Sequence, residues 1–264
     1  MNALLEALIL GIVQGLTEFL PVSSSGHLEI AKFLLGDEST GEQSLLMTVV
    51  LHFATACATL FVFRDEIYSL LKGAFSTKRT QEHDYIAKII LSMIPAALVG
   101  VFMEDAIESM FSQNLLLVGC ALILTALLLI VADRATNTTQ SVSFPQALII
   151  GIAQAIAIIP GISRSGATIA TSVLLKIDRD RAARFSFLMV VPLIFGKMAK
   201  DLLDGEGLMM MDQIGPLMVG FVAAFITGTL ACIWMIKLVK QAQLRYFGWY
   251  CVVIGIFAII YSSV

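Results

Sequence analysis

Charge is what this chain has least of. Only 14% of its 264 residues are Asp, Glu, Lys or Arg, against about 25% in soluble domains. Histidine occurs three times, and no cluster of basic residues with interleaved aromatics exists, so nucleic acid is excluded as a partner. The four cysteines, Cys57, Cys120, Cys232 and Cys251, form no CxxC pair and all fall in apolar runs. They read as small buried residues, neither disulfides nor metal ligands. The apolar runs lack period-two alternation, which excludes a transmembrane barrel. The N-terminal stretch lacks a basic n-region and is interrupted by Glu6 and Glu18, so cleavage as a signal peptide is not expected.

What remains is 58% hydrophobic, with a mean hydropathy of +0.89. The expectation is an all-α integral membrane protein forming one membrane domain over residues 1–264. Six stretches suit membrane crossing: 45–63, 86–103, 115–132, 185–203, 214–236 and 247–263. Two further apolar regions are broken in the middle. Residues 3–20 and 28–35 flank "PVSSSGH", and residues 144–159 and 167–175 flank "PGISRSGA". Each reads as a re-entrant helical hairpin.

The two broken regions align. A shift of 140 positions brings Gly11, Ile12 and Gln14 onto Gly151, Ile152 and Gln154, and Ser23, Ser25 and Gly26 onto Ser163, Ser165 and Gly166. Ser24 falls on Arg164. Each half, 1–140 and 141–264, is then one hairpin plus three spans. An odd number of spans inverts the second copy, and inverted repeats place a site where broken helices meet near the midplane. Entry of the first hairpin from outside puts Arg64, Lys72, Lys78, Arg79, Lys88, Arg134, Lys176, Arg179, Arg181, Arg184, Lys237, Lys240 and Arg245 on the inner side. It puts both termini and the acidic clusters Asp37/Glu38/Glu42, Glu104/Asp105/Glu108 and Asp204/Glu206/Asp212 outside.

Ionisable residues at membrane depth point to function. Glu6 sits near the chain end and reaches the interface, and Glu29 has Lys32 as a local partner. Glu18 stands one helical turn after Gln14, on the face that leads into the serine break. Arg164 occupies the second break, between Ser163 and Ser165. If the tips meet, Arg164 approaches Glu18, Ser24 and His27. The plain alternative is a structural Glu18–Arg164 ion pair, which by itself has no use for the serines, histidine and glycines around it. An arginine fork, several hydroxyls and two helix N-termini suit a phosphate. Binding residues are expected at Gln14, Ser23, Ser25, Gly26, Gln154, Ser163, Ser165, Gly166 and Thr168. His52 reads as a satisfied mid-span residue and His83 as part of the basic inner loop.

"QGLTE" followed by "PVSSSGH", with "PGISRSGAT" in the second half, resembles the undecaprenyl pyrophosphate phosphatase family of bacteria, the bacitracin-resistance type. Gln14 and Glu18 match its (E/Q)xxxE motif. Pro160, Gly161, Ser163, Arg164, Ser165 and Thr168 match its PGxSRSxxT motif. The resemblance covers essentially the whole chain. It implies a multi-pass enzyme of the bacterial inner membrane that hydrolyses a C55 polyprenyl pyrophosphate to the lipid monophosphate used in cell-wall synthesis. It also implies a divalent cation, Mg²⁺ or Ca²⁺, for which Gln14 and Glu18 are the expected ligands. Gln14 is a neutral ligand where some members have Glu. The active site is expected to face the periplasm. The expected partners are the polyprenyl lipid and bilayer lipid, with a homodimer compatible with the architecture. "SSSGH" also suggests the acid-phosphatase type of lipid phosphatase, but no KxxxxxxRP occurs, and Ala170 stands where its SRxxxxxH motif needs histidine.

Three chemistries fit these residues. Ser24 attacks, with His27 as general base and then acid and Arg164 stabilising the developing charge. Alternatively Glu18 activates water, or His27 attacks directly. The first is the preferred expectation. A transporter or flippase of a phosphorylated polyprenyl lipid is the competing function, because broken helices in inverted repeats are a transporter architecture.

Overall fold

The computed structural model describes residues 2–36, 41–76, 78–103, 114–136, 138–203, 214–241 and 243–262. The expected acidic outer clusters lie outside the residues whose side chains are described. Eleven helices make up the described chain: α1 (Ala3–Phe19), α2 (Ser24–Leu35), α3 (Gly41–Val62), α4 (Arg64–Ala74), α5 (Gln81–Phe102), α6 (Leu115–Asp133), α7 (Phe144–Ile156), α8 (Arg164–Leu174), α9 (Arg179–Leu203), α10 (Ile214–Lys240) and α11 (Leu244–Tyr261). No strand occurs among the described residues. All four cysteines are free.

Four of these helices, α5, α6, α10 and α11, are long and apolar enough to cross a membrane. A fifth candidate is the pair Leu46–Val62 and Arg64–Ala74, bent by 78° at Phe63. The outer surface is apolar where a soluble domain's is polar. Leu98, Leu124, Leu230 and Val253 are exposed, whereas Gln14, Glu18, Thr59, Ser92 and Gln154 are buried. Lipid tails solvate the outer apolar belt, so the polar groups collect inside, where they can partner one another.

Each apolar hairpin expected from the sequence is two helices with a break. Both breaks are capped in the same way. Ser23 Oγ accepts from the Gly26 amide at 3.2 Å, and Ser163 Oγ accepts from the Gly166 amide at 3.0 Å. Such N-caps satisfy one of the first amides, which have no acceptor within their own helix. Thr125, on α6, holds the second break: its Oγ1 donates to the Gly161 carbonyl and accepts from the Ser163 amide at 3.1 Å.

Small residues bring the helices together, since packing rather than water exclusion drives association in lipid. The α1 helix lies on α10 and α5 lies on α7; α3 packs on α10 and α9 on α5, while α6 pairs with α11. At the α1–α10 seam a Cβ on Gly11 stands 2.5 Å from the Gly220 carbonyl oxygen. A Cβ on Gly15 stands 2.7 Å from both the Ala224 carbonyl oxygen and the Gly228 amide. Backbone cannot yield as a side chain does. Gly15→Leu is therefore expected to cost about 3 kcal/mol or more by overpacking, seen as a lowered unfolding temperature of detergent-solubilised protein. Wild-type thermal stability in that variant excludes this seam.

Candidate active site

The breaks meet. Ser165 Oγ donates to the Leu20 carbonyl at 3.1 Å, and a Cβ on Gly26 stands 3.1 Å from Gly161 Cα. Glycine at position 26 permits this approach. The contact brings the last turn of α1 against the first turn of α8. There Arg164 Nη2 donates to Glu18 Oε1. Arg164 Nη1 donates to the Ser186 carbonyl at 3.3 Å, which anchors the guanidinium on α9.

The other Glu18 oxygen collects three neighbours. Ser24 Oγ donates to Oε2 at 2.5 Å, and Gln14 Nε2 donates to it at 3.1 Å. His52 Nε2, on α3, stands 3.7 Å from it. The side chain of Glu18 is 7% exposed and that of Arg164 is 16% exposed, so solvent screening is weak there. Phe19 lies edge-on to Phe187 with centroids 5.5 Å apart, and Phe63 packs on Phe187, giving the polar cluster an apolar floor. Two helices, α2 and α8, begin at this place, so their N-terminal dipoles favour an anion.

The structure departs from the expected Ser24–His27 partnership. His27 Nδ1 stands 2.8 Å from the Ser23 carbonyl oxygen, and its Nε2 stands 2.9 Å from Tyr250 Oη. A carbonyl only accepts, so Nδ1 carries the proton, and in the neutral ring Nε2 accepts from the tyrosine hydroxyl. His27 also stacks on Tyr250. Both ring nitrogens are engaged away from Ser24, whose hydroxyl is bonded to Glu18 instead. The reason is the backbone of Ser23, at φ 71°, a left-handed conformation costing about 1–3 kcal/mol for a non-glycine residue. It turns the Ser23 carbonyl toward His27, where the ring Nδ1–H and the His27 amide both reach it.

The remaining expected residues fall in three places. Ser23 and Ser25 share a hydroxyl contact at 3.3 Å, and Ser163 and Ser165 repeat it at 3.3 Å. Gly26 and Gly166 are buried in the two first turns. Thr168 is directed into the protein: its hydroxyl donates to the Arg164 carbonyl at 2.8 Å and lies 2.5 Å from Ser186 Oγ. Gln154 is buried, and among the described residues neither of its side-chain polar atoms has a hydrogen-bond partner. His52 and Ser186 are residues that the sequence reading left out. Glu29 and Lys32 form the expected local pair at 3.9 Å, with Lys32 Nζ donating to Thr48 Oγ1 at 2.9 Å.

Among the described residues, no three His, Cys, Asp or Glu side chains stand close enough to hold a metal alone. The Gln14 Oε1 atom is, however, buried beside Glu18 and has no hydrogen-bond partner among the described residues. Mg²⁺ is typically held by one or two carboxylates, with water and substrate phosphates supplying the rest of its shell. The donors present fit a divalent cation shared with a phosphate.

Removing one member of the Glu18–Arg164 pair should be asymmetric in cost. An orphaned carboxylate can take up a proton, whereas a guanidinium stays charged. Glu18→Ala is expected to destabilise by about 3–5 kcal/mol, and Arg164→Ala by less, as read from thermal unfolding at neutral pH. Equal losses contradict the buried charge pair.

The family model described as bacitracin resistance protein BacA matches residues 7–257. A protein of Christiangramia forsetii named undecaprenyl-diphosphatase is 56% identical over 257 residues, 97% of each chain. One of the same name from Bacteroides fragilis is 47% identical over 265 residues, 98% of each chain. Another of that name, from Methanosphaera stadtmanae, is 37% identical over 280 residues, 99% of each chain.

Proposed function

The chain belongs to the bacitracin resistance protein BacA family, and from that premise we propose that it is an undecaprenyl-diphosphatase. It hydrolyses the C55 polyprenyl pyrophosphate to the lipid monophosphate and phosphate, returning the carrier to cell-wall synthesis. The observation that carries the reading is the Ser24–Glu18–Arg164 constellation. A flippase needs groups that bind a phosphate; a hydroxyl held 2.5 Å from a carboxylate oxygen is what group transfer uses.

The chemistry follows from these contacts. The pyrophosphate competes with Glu18 for the Arg164 fork, and Arg164 turns from one anion to the other. Glu18 is then free to take the Ser24 proton as Ser24 Oγ attacks the terminal phosphorus. The P–O bond to the bridging oxygen breaks and the lipid monophosphate leaves. Arg164 and the amides opening α2 and α8 stabilise the charge on the transferring phosphoryl group. Water then cleaves the phosphoserine, giving phosphate and returning the hydroxyl. His27 acts on this route through Ser23, by fixing the turn that aims Ser24. Gln14 and Glu18 are the residues that would hold Mg²⁺ or Ca²⁺, which would neutralise phosphate charge when bound.

The architecture we propose is six crossings plus two re-entrant hairpins, in inverted repeats 1–140 and 141–264 of one membrane domain. The helix packings support it. Exchanging α1 with α7, α3 with α9 and α5 with α10 turns the α1–α10 packing into α7–α5 and the α3–α10 packing into α9–α5. The enzyme lies in the bacterial inner membrane, alone or as a homodimer, with its site opening to the periplasm and the basic loops inside. A cysteine at position 114 should be labelled from outside intact cells, and one at position 79 should not. The reverse pattern overturns the orientation.

Ser24→Ala is expected to lower kcat at least about a hundredfold, near 2.7 kcal/mol of barrier. Arg164→Lys, which keeps charge but loses the fork, should be severely impaired. Rapid quench of the wild type with labelled substrate should trap phosphoserine. Phosphohistidine assigns the attack to His27, and absence of any phosphoenzyme with an active Ser24→Ala assigns it to water.

A further inference from the structure

His52 stands beside Glu18, with Nε2 3.7 Å from Oε2, and the chemistry above leaves it unused. We infer that its Nε2 is the third protein donor of the divalent-cation site that the preceding reading, on which this one rests, gives to Gln14 and Glu18. The tautomer is fixed by the structure. His52 Nδ1 stands 2.8 Å from the Thr48 carbonyl oxygen, so Nδ1 carries the proton and Nε2 presents its lone pair toward the pocket. A ligating histidine whose other nitrogen donates to a backbone carbonyl is the usual arrangement at metal sites.

The spacing fits an ion between the donors better than a direct bond. Nε2 is 3.7 Å from Glu18 Oε2. That is longer than a hydrogen bond, which runs about 2.7–3.2 Å. Two donors, each about 2.0–2.6 Å from a shared cation, stand roughly 3–4 Å apart.

Gln14 supplies the independent observation. Its Oε1 is buried and has no hydrogen-bond partner among the described residues, because the amide turns its nitrogen to Glu18 Oε2 at 3.1 Å. A half-turn of the amide exchanges the two atoms and brings Oε1 to the same side as Glu18 and His52. Gln14 Oε1 thus joins Glu18 Oε2 and His52 Nε2 as a donor. An oxygen–oxygen–nitrogen set of this kind favours a cation that accepts imidazole, such as Mn²⁺, over Ca²⁺.

Pulsed EPR on the full-length protein in detergent, with Mn²⁺ as the probe, tests the assignment without reference to turnover. The expected spectrum shows the coupling of one directly bound imidazole nitrogen, changes when histidine is labelled with ¹⁵N, and persists in the His83→Gln control. His52→Gln should lose that coupling and weaken Mn²⁺ binding about tenfold or more. Wild-type protein that binds Mn²⁺ without nitrogen coupling overturns the role of His52 and leaves the cation at Gln14 and Glu18 standing. Failure to bind Mn²⁺, with hydrolysis unaffected by chelator, overturns the cation itself and this inference with it. The wild-type spectrum alone decides, so a His52 variant that fails to fold does not spare the proposal.

Discussion

The contact on which the rest of the structure depends is the ion pair between Glu18 and Arg164, residues separated by 146 positions in the chain. Buried as they are, neither charge stands alone: removing one partner leaves a penalty of several kcal/mol or so. The pair therefore sets conditions for everything around it. Two helices must stop short at the same place, their tips must touch, and the seams behind them must be tight enough to hold that contact. The glycines of α1 against α10 and the capped serine breaks meet these conditions. On the proposed route the pair also sets the ligand: Arg164 keeps its charge, so an anion is what would draw it from Glu18 and release the carboxylate bonded to Ser24.

Much of this was legible in the sequence because it is local or repeated. Gly11, Gln14, Ser23, Ser25 and Gly26 recur 140 positions later, and a pattern broken twice in the same way predicts two similar hairpins. The helices found at α1, α2, α7 and α8 match those four arms closely. Glu18 and Arg164 stood out because charge is rare here, and the structure joins them. The bend at Phe63 was not legible, since α3 and α4 lie on either side of a single residue with no proline or glycine.

The partners of Ser24 and His27 were misjudged for a physical reason. Spacing along a helix assumes regular backbone up to its first turn, and Ser23 departs from it with a left-handed φ that no residue-type signal announces. His52 was passed over because a lone histidine in an apolar run is usually a satisfied core group. Its importance comes from the packing of α3 beside α1, which sequence periodicity does not encode. Ser186 contributes a backbone carbonyl to Arg164, and backbone groups carry no signature at all.

The alignment of the two halves also explains why there is one site and not two. Glu18 falls on Ile158, Ser24 on Arg164 and His27 on Ala167. The shared residues are those that build the break: glycines, capping serines and a buried glutamine. Among the residues that differ are Glu18, Ser24, His27 and Arg164, which carry a charge, a hydroxyl or an imidazole. Identical copies meeting tip to tip would set two carboxylates, or two guanidiniums, at contact distance in a low-dielectric interior, where like charges repel strongly. Opposite charges on the two tips attract instead, with Glu18 and Ser24 on one tip and Arg164 on the other. Gln154 keeps the place of Gln14 in the second half. It is buried as Gln14 is, but where Gln14 has Glu18 one turn on, Gln154 has Ile158, and among the described residues its amide has no partner.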